Sequence, residues 1–200
     1  MAKLKLTKNE QKKQKDSLKM FQRYLPTLML KKQQLQAEIR TVEARVNAIH
    51  AEKEKLDESF KKWIGIFGEE GVFTKDILRI TSITAGEGNI AGVAIPVFQG
   101  AEFETAEYDL VKNPLWLDLA VANMKRALLV DLEAQTLEEQ ERRLRKELRT
   151  TSQRVNLFEK IKIPEAKSNI KKIGVYLGDQ QTAAVVRGKI SKRGMEKASS

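Results

Sequence analysis

The sequence predicts a mainly α protein, a long antiparallel two-helix coiled coil with a small β-hairpin insert between the helices. Three observations lead to this fold class. An apolar stripe with alternating steps of three and four residues runs through the first sixty residues, a second helical pattern follows residue 113, and the stretch between them is rich in Ile, Val and Gly. Steps that average 3.5 residues keep one narrow stripe of a helix facing a partner helix, which is typical of a coiled coil.

The stripe in the first helix has fourteen positions, and twelve of them are apolar. The other two are Lys32 and Lys53, whose aliphatic stems can lie along a groove between helices. At about 1.5 Å per residue, a helix of ~60 residues would be a rod of roughly 90 Å. We expect the apolar members to form the coiled-coil seam, which comprises Leu18, Phe21, Leu25, Leu28, Leu35, Ile39, Val42, Val46, Ile49, Leu56, Phe60 and Trp63.

The first helix has a recognisable start and one irregularity. Thr7 and Glu10 have the spacing of a capping box, so the helix is predicted to begin there. Three glycines within residues 65–71 predict its end. Pro26 removes one ladder hydrogen bond and predicts a kink near residues 21–25. The unchanged heptad phase on both sides of Pro26 disfavours a complete break.

The insert has the composition of a β-hairpin. Residues 78–83 and 90–98 are rich in Ile and Val, and residues 85–89 between them have turn chemistry. The sequence therefore predicts a hairpin that reverses at residues 85–89, with Pro96 at an edge or a bulge. Residues 101–111 could form a third short strand or a loop.

A second helical pattern begins at Asn113 and Pro114, which suit the N-cap and the first helical position. Residues 115–130 are apolar most of the way round, so we expect them to be buried on more than one side. Pro164 is predicted to end or kink this helix. Beyond it the apolar pattern resumes at Ile170, Ile173, Leu177 and Ala184.

We divide the chain into an N-terminal coiled-coil helix (1–68), a hairpin or loop insert (69–112) and a C-terminal coiled-coil helix with a protruding tip (113–200). Antiparallel pairing of the two helices would place Trp63 near Trp116 and Leu25 near Arg154. On that register the last thirty residues extend past the start of the first helix.

Composition narrows the classes of function. The formal net charge is +10, but residues 1–40 carry +8, residues 41–148 carry −6 and residues 149–200 carry +8. The absence of Cys excludes disulfides and thiolate metal sites, and His50 is the only histidine. With no run of eighteen apolar residues, we expect neither a membrane span nor a secretory signal.

Motifs for catalysis are missing from the sequence. Gly86-x-Gly88-x-x-Ala91 matches a dinucleotide-binding fingerprint on paper, but that mechanism needs a following helix, and the residues that follow resemble a strand. We therefore interpret these glycines as part of the hairpin turn. There is no P-loop and no nucleophile–base motif. We predict a non-catalytic protein without a cofactor or a metal.

Nucleic-acid binding is the alternative interpretation. Arg142, Arg143, Arg145, Lys146 and Arg149 could contact phosphates, together with the N-terminal lysines. Few aromatic residues lie among them, and they alternate with glutamates. The alternative remains a free-standing coiled-coil protein that binds nucleic acid or acts as a scaffold.

Three segments, in order along the chain, resemble the D subunit of V-type ATPases. Residues 90–98 resemble its central hairpin, and residues 154–160, followed by Ile163-Pro164, resemble its C-terminal motif. Residues 18–35 resemble its leucine- and lysine-rich opening helix. The resemblance implies a rotor shaft in the central stalk, which carries torque between the catalytic ring and the ion-translocating membrane ring and holds no nucleotide.

The resemblance also implies partners and a location. These partners are the A and B subunits of the ring, the F subunit of the central stalk, and indirectly the membrane-facing stalk subunit and the ion ring. No nucleic acid and no direct membrane insertion are expected; the protein would be cytoplasmic and peripheral to the membrane, in a complex of bacterial or archaeal type. The residues that we expect to contact partners are Phe67, Val72, Val93, Phe98, Trp116, Lys171, Lys172, Arg187 and Lys189.

Overall fold

A computed structural model of the protein describes residues 4–63, 77–106 and 116–198. The predicted fold class is confirmed: long helices flank a two-stranded antiparallel hairpin. In chain order the elements are α1 (Lys8–Trp63), β1 (Leu78–Ile90), β2 (Val93–Thr105), α2 (Leu117–Leu157), a π-helical turn (Phe158–Lys162) and α3 (Ile163–Ala198).

The chain divides into two compact units. Unit 1 comprises residues 1–32 and 150–200, and unit 2 comprises residues 33–149. Each unit therefore contains part of α1 and part of the C-terminal helical run.

Helix α1 begins as predicted. The backbone N–H of Glu10 donates to Thr7 Oγ1 at 3.3 Å, so Thr7 supplies the side-chain acceptor that the first turn needs. The helix then continues through Pro26, which therefore does not break it. The predicted end at residues 65–71 lies outside the described residues.

The core of unit 2 is an apolar seam between α1 and α2. Leu35, Ile39, Val42 and Val46 are buried at steps of four, three and four residues. They form one cluster with Leu137 and Leu144 of α2 and Ile95 of β2. The 3.5-residue spacing brings the same stripe of each helix back to the contact.

The hairpin reverses at a different place from the one predicted. Strand β1 continues through residues 85–89, and the chain turns at Ala91 and Gly92, which have φ of 51° and 79°. Positive φ at both central residues is typical of a type I′ turn, whose twist matches that of paired strands. Asn89 Oδ1 accepts a hydrogen bond from the Gly92 N–H at 2.9 Å. A positive φ strains any residue other than glycine. The contact between Ala91 and the unit 2 core favours alanine at this position despite that strain.

Gly86 and Gly88 belong to β1 and not to the turn. A Cβ on Gly86 would lie 2.6 Å from Gln99 Nε2, and one on Gly88 would lie 2.9 Å from Val97 Cγ2. Cross-strand side chains therefore occupy the space above both glycines. Residues 101–105, where we expected a third strand or a loop, continue β2. Residues 107–111 of that expected element lie outside the described residues.

The first turns of α2 are buried along one face, contrary to the prediction of burial on more than one side, because Leu119 is 57% exposed. Leu117 and Val121 form a second cluster with Ile77, and Ala120 and Val130 are also buried. The predicted start of this helix at Asn113 lies outside the described residues.

In unit 1 the seam residues of α1 are half-buried, whereas in unit 2 four of them are buried. The Phe21 and Phe158 rings lie 5.2 Å apart, one helical turn from the predicted pairing of Leu25 with Arg154. Pro164 does not end the helical run, because α3 starts one residue before it. The irregularity is a π-helical turn, in which the Ile163 N–H donates to the Phe158 carbonyl.

Leu35→Ala should reduce the free energy of unfolding by about 2–5 kcal/mol, because it leaves a cavity in the unit 2 core. Leu30→Ala is the matched control on the same helix, since 55% of Leu30 is exposed and surface substitutions usually change stability by under about 0.5 kcal/mol. Urea unfolding followed by circular dichroism measures both. Equal losses in the two variants would contradict the assignment of the core.

Candidate partner-binding surfaces

The tip of the hairpin is seated on the helices of unit 2. Ile90, Ala91 and Val93 are partly buried and pack against the core cluster, of which Ile95 is a fully integrated member. Val93, which we expected to contact a partner, therefore supports the core in this chain. A strand of thirteen residues spans about 40 Å, roughly the length of twenty-seven helical residues. The hairpin thus runs along α2 from near Leu117 towards Leu144.

Two polar side chains of α2 hold β2 in this position. Gln140 is only 4% exposed, and its Nε2 donates to the Pro96 carbonyl at 2.6 Å. Arg143 Nη1 donates to the Ala94 carbonyl at 3.3 Å. Because these bonds go to backbone carbonyls, they fix the position of the strand whatever its side chains are. Sequence reasoning missed Gln140, although its spacing from Leu137 and Leu144 places it on the buried stripe.

The surface of the hairpin combines apolar and acidic groups. Ile83 and Val97 are 52% and 36% exposed, and Glu87, Glu102 and Glu104 are exposed as well. Phe98 is half-buried and lines a groove of about 310 Å³ with Arg45, Glu133 and Gln140 among others. Trp116 is half-buried and packs against the cluster of Ile77, Leu117 and Val121. Phe67 and Val72 lie outside the described residues.

Ion pairs flank the seam in unit 2. Arg145 contacts Glu43 at 2.6 Å, Arg126 contacts Glu52 at 2.8 Å, and Lys53 contacts Asp131. The hydrogen bond from Lys53 lowers the pKa of Asp131 and raises the pKa of Lys53.

His50 is a surface residue of α1 with an acidic neighbour. Its Nε2 lies 3.1 Å from Glu138 Oε1, and 44% of the histidine side chain is exposed. The contact joins α1 to α2, as the ion pairs do.

Two arginines of α2 converge on one glutamate. Arg142 Nε and Arg143 Nε donate to Glu139 at 2.6 and 2.7 Å. Hydrogen bonds from Arg142 first, and then from Arg143, lower the pKa of Glu139 from 4.5 to about 2. Arg145 likewise donates to Glu141 at 2.6 Å. These arginines, which we considered as phosphate contacts, therefore have carboxylate partners within the chain.

The C-terminal segment, which we define as residues 178–195, has a different character. Its residues are exposed except for the half-buried Ala183. Several exposed residues are large and apolar, among them Val185, Val186 and Ile190. The basic residues that we expected to contact partners, on this segment or just before it, are all exposed; they are Lys171, Lys172, Arg187 and Lys189.

The two units differ in charge. Unit 1 contains 21 Lys and Arg against 6 Asp and Glu, whereas unit 2 contains 16 against 21. Unit 1 therefore carries +15 and unit 2 carries −5. A surface with the charge of unit 1 attracts an acidic partner and repels a basic one.

Within the described residues, no three His, Asp or Glu side chains are grouped so that they could hold a metal ion. Across the same parts of the chain, none of the helices is both long enough and apolar enough to cross a membrane.

Comparison with known proteins places the chain in a family. The family model for the D subunit of ATP synthase matches residues 10–193, so the chain belongs to that family. The V-type ATP synthase D subunit of Borreliella burgdorferi is 51% identical over 197 residues, which cover 98% of this chain and 97% of the relative. The protein of the same name from Chlamydia muridarum is 35% identical over 193 residues, or 95% of each chain. Both similarities include α1, the hairpin and the C-terminal helices.

Replacing both Arg142 and Arg143 with alanine should raise the pKa of Glu139 from about 2 towards 4.5. The folded-state pKa lies below the unfolded value, so these contacts stabilise the fold above about pH 4.5 and lose that effect as the pH falls towards 2. A carboxyl NMR titration measures the change. Arg149→Ala, on the same helix, is the control and should leave the pKa of Glu139 at about 2. A low pKa that persists in the double variant would show that the arginines are not its cause.

Proposed function

Because the chain belongs to the ATP synthase D-subunit family and is a component of a V-type ATP synthase, we propose that it is the central-stalk rotor shaft of that complex. In this role it transmits torque between ATP hydrolysis or synthesis in the catalytic ring and ion translocation in the membrane ring. It is a non-catalytic subunit, and its sequence contains no P-loop to bind a nucleotide.

The observation that carries this proposal is the exposed, helical C-terminal segment. Most helical stability in proteins comes from packing an apolar face against another surface, and the large apolar residues of this segment are exposed within the chain. We propose that the A and B subunits of the catalytic ring enclose it. Basic residues around the segment would face acidic groups on the inner surface of that ring. Lysine, a strongly hydrated charge on a flexible stem, suits a contact that must be remade as the shaft turns.

The seam supports the mechanical part of the proposal. Torque applied to one helix would reach the other through the buried side chains of the seam, because close-packed protein interiors have low compressibility. The ion pairs at residues 43, 52 and 53 add polar connections between α1 and α2 of unit 2. Each exposed ion pair contributes little stability, so the apolar seam is the principal connection.

The exposed surface of the hairpin is the second proposed contact. We assign it to the F subunit and to the stalk components that face the membrane, through residues such as Ile83 and Val97. The chain would then act in the cytoplasm, peripheral to the membrane, as part of the complex. It would reach the ion ring only through the membrane-facing stalk subunit.

Hydrogen exchange of the C-terminal segment tests the shaft proposal. In the free chain, amides beyond residue 177 should exchange rapidly, and adding a purified ring of A and B subunits should slow their exchange at least about tenfold. Amides around Leu35 and Leu144 serve as the internal control, because they are protected in both states. Unchanged exchange in the presence of the ring would argue against enclosure, and protection by RNA instead would favour the nucleic-acid alternative.

A matched pair of hairpin variants tests the second contact. Ile83→Asp changes an exposed residue, so it should leave the thermal midpoint within about 2 °C but weaken binding of the F subunit at least about tenfold. Val93→Asp places a charge against the apolar core, so it should lower the thermal midpoint by several degrees. Circular dichroism and titration calorimetry measure the two effects. Full binding by the Ile83 variant would remove this surface from the interface.

A further inference from the structure

The half-buried face of α1 in unit 1 follows an unbroken heptad repeat. Its positions advance by alternating steps of three and four, so α1 contains neither an extra nor a missing residue on this side of the pair. The positions are Gln11, Gln14, Leu18, Phe21, Leu25, Leu28 and Lys32.

The opposing helical run has one residue too many. Thr151 and Val155 are buried before the π-helical turn, and Ala166 and Ile173 are buried after it. Ala166 and Ile173 are one heptad apart, but Thr151 and Ala166 are separated by fifteen residues, one more than two heptads. Without a correction, Ala166 and Ile173 would face about 100° away from the seam.

The π-helical turn lies inside this interval. The Ile163 N–H donates to the carbonyl five residues earlier, that of Phe158, and not to the carbonyl four residues earlier. A π-helical turn is equivalent to one residue inserted into an α-helix. It therefore absorbs the single excess residue and returns the apolar stripe to α1. Close approach of α3 to α1 continues afterwards, since a Cβ on Gly174 would lie 3.3 Å from Gln11 Nε2.

Pro164 follows the turn directly. Proline has no N–H for a ladder bond, and inside a regular α-helix its ring collides with the carbonyl four residues earlier, here that of Lys160. A wider turn at residues 158–162 relieves this collision. The proline and the excess residue thus need the same distortion at the same place.

We propose that the π-helical turn and Pro164 together form a phase-setting element. The turn absorbs the residue in excess of the heptad repeat, and Pro164 fixes its position, so that Ala166 and Ile173 face α1. The element also sets the rotational angle at which the C-terminal segment leaves the pair. This inference depends only on contacts within unit 1 and stands whether or not the proposed function is correct.

Deletion of Lys160 in two backgrounds tests the proposal. With Pro164 present, the deletion forces the proline into a regular α-helix and should lower the thermal midpoint by roughly 6–12 °C. With Pro164→Ala, the same deletion yields an uninterrupted helix in heptad phase. It should then change the midpoint by less than about 2 °C, relative to Pro164→Ala alone, or raise it. Circular dichroism of the full chain supplies the four midpoints.

Deletion of Arg23 is the matched control, because it removes an exposed basic residue from the helix that has no excess. It should rotate Phe21 and Leu18 off the seam and lower the midpoint in both backgrounds. The proposal is overturned if deletion of Lys160 lowers the midpoint equally in the Pro164 background and in the Pro164→Ala background. NMR of the unmodified chain provides a test that needs no variant. Contacts between Phe158 and Ile163 across one wide turn are expected, and a regular α-helical pattern there would also overturn it.

Discussion

The apolar seam is the constraint on which the other features depend, because each long helix can leave water only along one narrow stripe. In unit 2 that stripe is continuous through Leu35, Ile39, Val42 and Val46. Leu137 and Leu144 of α2 pack in the same cluster. The hairpin packs on the surface that α1 and α2 form together. Gln140 is a polar exception on the buried stripe: its Nε2 donates to the Pro96 carbonyl, whereas its buried Oε1 has no hydrogen-bond partner. Core packing and the position of the insert are thus parts of one arrangement.

Seating the hairpin on the helices changes which of its residues a partner can reach. A free insert would offer Val93 and Ile95 as contacts, but here both join the core. Val97 lies on the same face of β2 as Ile95, since both side chains flank the space above Gly88, yet Val97 is 36% exposed. A partner therefore meets a surface of Ile83, Val97 and several glutamates, which selects for an apolar patch with nearby basic groups.

Elements that follow a periodic pattern could be predicted from the sequence. Features that depend on contacts between residues distant in sequence could not. The 3.5-residue repeat identified the long helices, and the Ile- and Val-rich segments identified the hairpin. The turn was misplaced because five residues with turn chemistry precede it, whereas the true turn uses Ala91, a residue that seldom adopts positive φ. What favours Ala91 is its contact with a core formed by residues distant in sequence, which no local pattern reveals. Gln140 was missed, and Arg143 was assigned a different role, for the same reason, since their acceptors are backbone carbonyls of β2.

The two units differ in net charge and in how far their buried heptad positions extend. Arginines and lysines in unit 2 are matched by carboxylates on the facing helix, so several of its charges are used within the chain. Unit 1 has fewer acidic residues with which to do this, and its C-terminal segment has no buried stripe of its own in the residues described. Helix α3 keeps heptad phase as far as Ile173 and pairs with α1 over that length. Beyond Ile173 its valine and lysine side chains are exposed and can contact a partner. The phase at which that change occurs determines which side chains a surrounding partner meets. A one-residue correction at Pro164 therefore affects residues far beyond the turn itself.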